Sequence, residues 1–410
     1  SIMRKLIFLA LVALATAEKV RYDNYKVFRV VPQTEEQVEV IRNLEEVSDF
    51  SFWKEPNAVQ RPADVMVAPH RIPDFHETMK MFNIPYDVYV SDVQTLIDSE
   101  MPPAQPLATF DLNRYHTLDD IYAHLQALAK ANPGKVQVIV GGNTYEGRQI
   151  KGVKVSFGKA KHGVVLEAGI HAREWIGPAT ILYMLNELLT SKNADVRALA
   201  ESHDWYIFPV TNPDGYVYTH TTNRMWRKTR KPYGVLCYGS DPNRNWGYKW
   251  MSGGASNQPC SETYAGSSAF SDVETKSLSQ YLTSISSKFS AYVAFHSYSQ
   301  LLMFPYGHTK QHLENYEDSV SKGLIKVYYY SIKRYILQLF LTFSAFIHLS
   351  GSSMDWVKGT FHKPVTFTYE LRDTGRHGFL LPADQIAPTA LETLDSLVAM
   401  FKEAKARGYE

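Results

Sequence analysis

The sequence lacks a net charge of either sign. It holds 43 basic and 42 acidic residues, so its formal net charge at pH 7 is +1. No basic field therefore indicates a nucleic acid or an anionic membrane as partner, and we expect a partner that is small or neutral. The tripeptide Asn-x-Ser/Thr is also absent, which excludes the common surface glycan. The nearly uncharged stretch 336–349 is too short to span a membrane.

Cysteine is scarce, because only Cys237 and Cys260 occur. The N-terminus matches a secretory signal peptide, with a basic start, an apolar stretch at 6–14 and small residues up to Ala17, where we expect the cleavage. In an exported protein an isolated pair of cysteines forms one disulfide more often than two free thiols. We therefore expect a secreted, extracellular protein with a single disulfide.

The length and patterning predict two domains. At 410 residues the chain is too long for one typical domain, and 45% hydrophobic residues suffice for a sizeable core. Short strand-like and helical patterns alternate up to about residue 100, which predicts a small α+β unit. Three prolines between 101 and 106 end it. We assign 1–17 to the signal peptide, 18–106 to the small unit with its linker, and 107–410 to one large α/β domain.

The most informative pattern is a set of apolar runs that end at side chains able to bind a metal or a proton. Residues 164–170 precede His171 and Glu174, residues 291–295 precede His296, and residues 365–369 precede Glu370. In an open α/β sheet the ligand site lies beyond the carboxyl ends of the strands, so these side chains can meet at one edge. Two imidazoles and a carboxylate leave one position of a tetrahedral zinc open for water, and a second carboxylate can take a proton. The pattern predicts a zinc hydrolase.

Each of these residues also has a simpler explanation. The spacing of His171 and Glu174 occurs by chance on solvated helices, and a lone His296 is more often a core residue than a ligand. Glu370 could pair with Arg372 instead of acting as a base. The shared position at strand ends supports the site, and the alternatives stay open on these patterns alone.

Basic residues cluster at 224–230, and Asn243, Arg244 and Asn245 follow a turn. Such a cluster is usually a solvated surface. An arginine beside an asparagine also suits a bound carboxylate, and a further arginine can stabilise negative charge that develops on a carbonyl oxygen.

Several motifs together resemble the zinc procarboxypeptidases of the carboxypeptidase A and B family. They are His171-Ala172-Arg173-Glu174-Trp175, Asn212-Pro213-Asp214-Gly215-Tyr216, the basic tract 224–230, Asn243-Arg244-Asn245-Trp246, His296-Ser297-Tyr298 and the segment 370–375. The resemblance covers essentially the whole chain after the signal, and motifs that agree in context support one another. It implies a mixed eight-stranded sheet with helices on both faces, preceded by a small α+β, ferredoxin-like pro-domain that covers and inhibits the site.

The resemblance also implies roles for individual residues. One Zn²⁺ per chain would be bound by His171, Glu174 and His296. Glu370 would be the general base toward the attacking water, and Arg227 would stabilise the oxyanion.

The substrate would be the C-terminus of a peptide or protein. The residues implied in binding it are Arg173, Asn243 and Arg244 at its carboxylate, and Tyr298, Met354 and Phe379 along the groove and pocket. Cys237 and Cys260 fall where the family has its disulfide. Because Met354 is apolar and stands at the discriminating position, we expect hydrophobic or aromatic C-terminal residues to be preferred.

The sequence departs from the family pattern at two places. Ile347 stands where a tyrosine closes over the substrate carboxylate, and the resemblance lapses across 323–349, through genuine divergence or a local reading-frame error. No basic residue lies between Lys80 and Arg114, so ordinary tryptic activation in the linker is not available and the activating protease is of another kind.

We therefore expect a monomeric, secreted zymogen of a digestive-type metallocarboxypeptidase. One alternative is a weakly active relative that binds peptide C-termini without efficient turnover. A second is a regulatory or prohormone-processing carboxypeptidase, which would require an acidic residue in place of Met354.

Overall fold

A computed structural model of the chain describes residues 19–100, 110–160, 162–309 and 349–409. The predicted signal peptide, most of the proline-containing linker, and Ile347 with nearly all of the divergent stretch around it lie outside the described residues. Among the described residues, no helix has both the length and the apolar composition needed to cross a bilayer.

The N-terminal unit, residues 19–100, is a four-stranded antiparallel sheet with three α-helices. Its elements are β1 Lys26–Val30, α1 Glu35–Arg42, β2 Phe50–Lys54, β3 Ala63–Val67, α2 Ile72–Met81, β4 Tyr86–Val90 and α3 Val93–Glu100. The strand order is β2-β3-β1-β4. Apolar side chains of the sheet pack against α1 and α2 in one core, while Trp53 and Met66 belong to a second cluster that includes residues of the large unit. The predicted small α+β unit is confirmed.

The large unit, residues 110–409, alternates helices and strands as predicted. Its elements are α4 Leu118–Ala131, β5 Val136–Asn143, β6 Gln149–Val155, β7 His162–Ala168, α5 Ile176–Thr190, α6 Ala194–Ser202, β8 His203–Phe208, α7 Pro213–Thr221, α8 Val273–Ser284, β9 Phe289–Ser297, β10 Leu301–Met303, α9 Ser353–Phe361, β11 Val365–Leu371 and α10 Ile386–Ala406. The predicted helix after Thr117 begins as expected, because Thr117 forms a capping box with Asp120 at the start of α4.

The described residues form one mixed sheet of seven strands in the order β10-β11-β9-β7-β8-β6-β5. The four central strands, β11, β9, β7 and β8, are mutually parallel, and antiparallel strands flank them. Helices α4, α5, α6 and α10 cover one face and α8 and α9 the other. Covered on both faces, the central strands need continuous apolar runs, which explains the pattern found in the sequence. The prediction of a mixed sheet with helices on both faces is confirmed, with seven of its eight expected strands in the described part.

The register of the central strands brings the predicted site together. β9 pairs in parallel with β11, and His296 lies directly opposite Glu370. β7 lies on the other side of β9, so the segment that follows β7 reaches the same edge of the sheet. The carboxyl ends of the three strands thus deliver all the predicted metal and proton ligands to one place.

Candidate active site

The turn after β7 positions the first two candidate ligands. Gly169 adopts φ +63°, and a Cβ there would lie 3.1 Å from the backbone of Pro209 and Val210, so glycine is needed for the turn. The chain then reverses before α5, and His171 and Glu174 fall on one side of this short segment. His171 Nδ1 lies 2.7 Å from Glu174 Oε1.

His296, on β9, completes a buried cluster that we call the metal trio: His171, Glu174 and His296. His296 Nδ1 lies 3.1 Å from His171 Nδ1 and 3.1 Å from Glu174 Oε2. The three groups fit a zinc ion, because bonds of about 2.0–2.2 Å at tetrahedral angles bring ligand atoms to within about 3.4 Å of each other. Two imidazole nitrogens and one carboxylate also form the donor set of catalytic zinc sites with an open position.

Asp241 links the metal trio to the basic residues around it, and sequence reasoning did not single it out. Its Oδ1 lies 3.1 Å from His171 Nε2, the ring nitrogen that faces away from the trio. Its Oδ2 accepts hydrogen bonds from Arg227 at 2.7 and 3.2 Å. Burial opposes ionisation, yet the charges of Arg227, Arg244 and His171 hold the pKa of Asp241 well below its usual range. An ionised Asp241 therefore orients a metal-binding histidine and an arginine at once.

Glu370 faces the same cavity as the metal trio. Burial raises the pKa of its carboxyl to about 8, the charge of Glu174 adds to the rise, and His296 and Arg227 oppose it. The alternative partner, Arg372, instead forms an ion pair with Glu392 at 2.6 Å. Glu370 therefore does not form the ion pair with Arg372 that was considered for it. Its burial makes it a stronger proton acceptor, as a general base requires.

A cavity of about 160 Å³ lies in front of the metal trio. Its lining includes the predicted substrate-binding residues Arg173, Asn243, Arg244, Tyr298 and Phe379, together with Arg227. The N-terminal unit contributes the opposite wall. The residues that it contributes are Glu45, Phe52, Trp53, Lys54, Glu55 and Asn57. Pockets that take a drug-sized ligand hold roughly 300–1,000 Å³, so this smaller space does not accommodate a peptide.

The predicted groove residues contact the N-terminal unit directly. Arg173 Nη2 donates to the Phe52 carbonyl at 3.1 Å, and its guanidinium lies 4.2 Å from the ring centroid of Phe379. The Phe379 ring in turn lies 5.6 Å from that of Trp53. These contacts place side chains of the N-terminal unit against the predicted substrate-binding residues.

Tyr298 makes a further contact of this kind. Its hydroxyl donates to Asp64 Oδ2 of the N-terminal unit at 2.6 Å, and Arg29 pairs with the same carboxylate at 2.6 Å through each of two nitrogens. Asp64 is fully buried. Sequence reasoning missed Asp64 because its partners lie far along the chain.

Met354 is buried next to the wall that carries Asn243. Ser353, the preceding residue, donates its N–H to Asn243 Oδ1 at 3.1 Å, and Met354 Sδ accepts a hydrogen bond from Thr368 Oγ1 at 3.3 Å. Its side chain is apolar and 3% exposed, and it does not line the cavity in front of the metal trio.

The basic tract 224–230 is not a solvated surface. Arg224 forms a buried bidentate ion pair with Glu100, the last residue of α3, at 2.5 and 2.6 Å. Arg224 also donates to the carbonyls of Arg173 and Phe379 at 2.9 and 3.0 Å. Lys228 donates to two backbone carbonyls beyond Cys237 in the chain. The tract therefore joins the N-terminal unit to the groove.

The predicted disulfide is present between Cys237 and Cys260. It closes the segment that contains Asp241, Asn243 and Arg244. The covalent bond thus constrains the loop that carries Asn243 and Arg244, which line the cavity, and Asp241, which bonds to His171 and Arg227.

Comparisons with known proteins agree with this geometry. The family model of zinc carboxypeptidases matches residues 121–396, and that of the carboxypeptidase activation peptide matches residues 28–100. Zinc carboxypeptidase A 1 of Anopheles gambiae is 47% identical, and the match covers 96% of this chain and 92% of that protein. Carboxypeptidase A1 of Homo sapiens is 37% identical, with 99% and 100% covered. The crystal structure of the carboxypeptidase A from Helicoverpa armigera matches with a TM-score of 0.83 at 28% identity, with 96% and 100% covered.

These matches span both units, and the donor set of the metal trio suits the metal that the family name states. The cofactor is zinc, and the N-terminal unit is the activation peptide. The chain belongs to the zinc carboxypeptidase family, as a carboxypeptidase A-like zymogen.

Proposed function

We propose that this protein is the secreted zymogen of a zinc exopeptidase that removes hydrophobic or aromatic residues from peptide C-termini. The observation that carries the proposal is the meeting of the metal trio, Glu370 and Arg227 around one cavity. A monomer is the expected state, and neither a nucleic acid nor a membrane is expected as partner.

In the proposed mechanism Glu370 handles the proton. Zinc held by the metal trio would polarise the scissile carbonyl and acidify water. Glu370 accepts a proton from the attacking water and returns it to the leaving amine. Its burial raises its affinity for a proton above that of an exposed glutamate.

Arg227 stabilises the negative charge that develops on the carbonyl oxygen. Its Nε and Nη2 atoms are held by Asp241, and Nη1 has no hydrogen bond among the described residues. A donor that is already fixed costs no reorganisation during the reaction.

Specificity for a free C-terminus comes from the carboxylate-binding side of the cavity. Asn243, Arg244 and Arg173 would bind the α-carboxylate, and Tyr298 and Phe379 would contact the upstream residues. Met354 does not line the cavity of the zymogen, and it would contact the terminal side chain once the pocket is occupied. Burying apolar surface against Met354 contributes about 25 cal/mol per Å², whereas a charged side chain would lose its solvation without gaining a partner.

The activation peptide inhibits the enzyme by occupying the groove. Its contacts to Arg173, Tyr298 and Phe379 use groups that a substrate would need. An activating protease that does not require a basic residue would release it, since the linker region has none between Lys80 and Arg114.

Glu370→Gln tests the assignment of the base. In the full chain loaded with zinc and activated by limited proteolysis, we expect turnover of a peptide ending in Phe to fall by at least about 10²–10⁴-fold. Zinc content should be unchanged, because Glu370 is not a ligand. Glu274→Gln is the matched control, since burial raises the pKa of Glu274 to about 8 as well but this residue does not line the cavity. Near-normal turnover in Glu370→Gln would refute the assignment.

Peptides with different C-termini test the pocket. The activated enzyme should trim Phe, Leu and Tyr far faster than Lys, Arg or Glu, and Met354→Asp should shift the preference toward Lys and Arg. A native preference for basic ends would contradict the role of Met354. Zinc binding with no turnover of any peptide would favour a protein that only binds C-termini.

A further inference from the structure

Glu167 is a buried carboxylate that the proposed chemistry does not use. It lies on β7 between the apolar residues Leu166 and Ala168, and it is 2% exposed. It does not line the cavity. Placing a carboxylate in the core is costly unless hydrogen bonds compensate, so its contacts indicate what it does there.

Glu167 reaches the substrate-binding wall through one residue. Its Oε1 accepts a hydrogen bond from Ser353 Oγ at 2.6 Å. Ser353 is the first residue of α9, and its N–H, which has no partner within the helix, donates to Asn243 Oδ1 at 3.1 Å. Ser353 therefore stands between Glu167 and Asn243, with one hydrogen bond to each.

The hydroxyl of Ser353 is not needed to start the helix. Ser352 is the cap of α9, because its hydroxyl accepts the N–H of Asp355 at 3.2 Å. The Ser353 hydroxyl donates to Glu167 Oε1, and the buried hydroxyl of Tyr292 on β9 interacts with both of these side chains. The hydroxyl thus serves to fix Ser353 on β7.

The hydrogen bond from Ser353 decides which end of the Asn243 amide is available to a substrate. Only the amide oxygen can accept an N–H, so Oδ1 must point to Ser353. The Nδ2 group is then left as the free donor, and it makes no hydrogen bond within the described residues, although Asn243 lines the cavity. A carboxylate requires a donor of this kind.

We propose that Glu167 is a positioning residue for substrate binding: it holds Ser353, and Ser353 turns the Asn243 amide so that Nδ2 donates to the α-carboxylate of the substrate. This inference rests on the carboxylate-binding role of Asn243 in the proposed function. Strand β7 would then have two functions: it leads into His171 of the metal trio, and through Glu167 it helps to recognise the free C-terminus of the substrate.

The test measures KM and kcat separately in the activated, zinc-loaded enzyme, with a peptide ending in Phe as substrate. Glu167→Leu removes the acceptor, and Ser353→Ala removes the hydroxyl while keeping the backbone N–H. Each should raise KM by about five- to tenfold and leave kcat and zinc content within about twofold, because the effect is on binding of the carboxylate. Glu167→Gln keeps an acceptor oxygen and should restore KM to within about twofold of normal.

The double variant Glu167→Leu/Ser353→Ala separates a shared path from two independent effects. We expect its KM to be no higher than that of either single variant, because both changes break the same connection. If Glu167→Leu does not fold, Ser353→Ala alone decides. A lower melting temperature with unchanged KM in Ser353→Ala would overturn the inference. Asn243→Ala serves as the reference: unchanged KM there refutes the carboxylate role itself, whereas a raised KM there with normal KM in Ser353→Ala refutes only the role of Glu167.

Discussion

The metal trio and the substrate groove differ in where their hydrogen-bond partners come from. Every recorded partner of the trio lies in the large unit, including Asp241 behind His171 and the backbone N–H of Ser297 beside Glu174. The groove residues Arg173 and Tyr298 also bond to the N-terminal unit, Arg173 in addition to its bonds to Met225 and Glu262 of the large unit. In the proposed mechanism the groups that would carry out the chemistry are therefore already together in the zymogen, and activation would change the access of substrate to them.

Two buried carboxylates of the N-terminal unit show how it is held on the groove. Asp64 and Glu100 belong to the N-terminal unit, and both are almost completely buried. Asp64 pairs with Arg29 of the same unit and accepts a hydrogen bond from Tyr298 of the large unit, whereas Glu100 forms its ion pair with Arg224 of the large unit. Removing one partner of such a pair typically costs 3–5 kcal/mol, because the other charge is left buried. A cut in the linker leaves all of these contacts intact.

The largest expected effect concerns the trio itself. His171→Ala should abolish zinc binding and activity together, because it removes one of three ligands. Asp241→Asn should weaken zinc binding by only about 10–100-fold, as is typical of a residue that orients a ligand. Zinc content after dialysis against a weak chelator measures both. Retention of zinc by His171→Ala would show that the trio is not the metal site.

A smaller effect is expected at the interface. Glu100→Leu leaves Arg224 buried without its carboxylate, so the cleaved activation peptide should dissociate faster and activity should appear sooner after limited proteolysis. Zinc content should not change, since the trio has no partner in that unit. Asp98→Asn, on the same helix, is the control, because Asp98 bonds to Gln94. An unchanged delay in Glu100→Leu would mean that the ion pair does not hold the two units together.

The smallest effect is expected at a buried carboxylate outside both regions. Burial, with a contribution from Asp272, raises the pKa of Glu274 to about 8, whereas the unfolded chain titrates near 4.5. Between these values the folded protein retains a proton that the unfolded chain has lost, so stability falls as the pH rises toward 8. Glu274→Gln removes this dependence. Its melting temperature should exceed that of the native chain by at least about 2 °C at pH 8, with a smaller difference at pH 6.

Thermal unfolding of both proteins from pH 6 to pH 9 measures the difference. It should grow up to about pH 8 and then level off, because both states of the native chain are ionised above that value. A difference that stays constant with pH would contradict the raised pKa. Turnover should be the same in the two proteins.

Sequence reasoning found the elements whose signal is local. Apolar runs located β7, β9 and β11, and the side chains at their ends gave His171, His296 and Glu370, because strand ends and the chemistry of these residues can be read over a few positions. The prolines after Glu100 marked the boundary of the N-terminal unit for the same reason.

What could not be predicted depends on partners distant in the chain. Asp64 is separated from Tyr298 by 234 positions, and Glu100 from Arg224 by 124. An acidic residue in a strand or at a helix end looks like an ordinary surface residue until its partner is known. Asp241 escaped notice similarly, because beside Pro242 it is typical of a turn.

The pairing of β9 with β11 also bears on how freely this chain can vary. His296 and Glu370 lie opposite each other on adjacent strands, so their separation depends on the ladder and not on the length of chain between them. Insertions, deletions or wholesale replacement within 310–348 would leave the proposed metal ligand and the proposed base in register. One residue added inside either strand would turn every following side chain to the other face of the sheet. The spacing of these two groups therefore tolerates changes in the connection but almost none within the two strands.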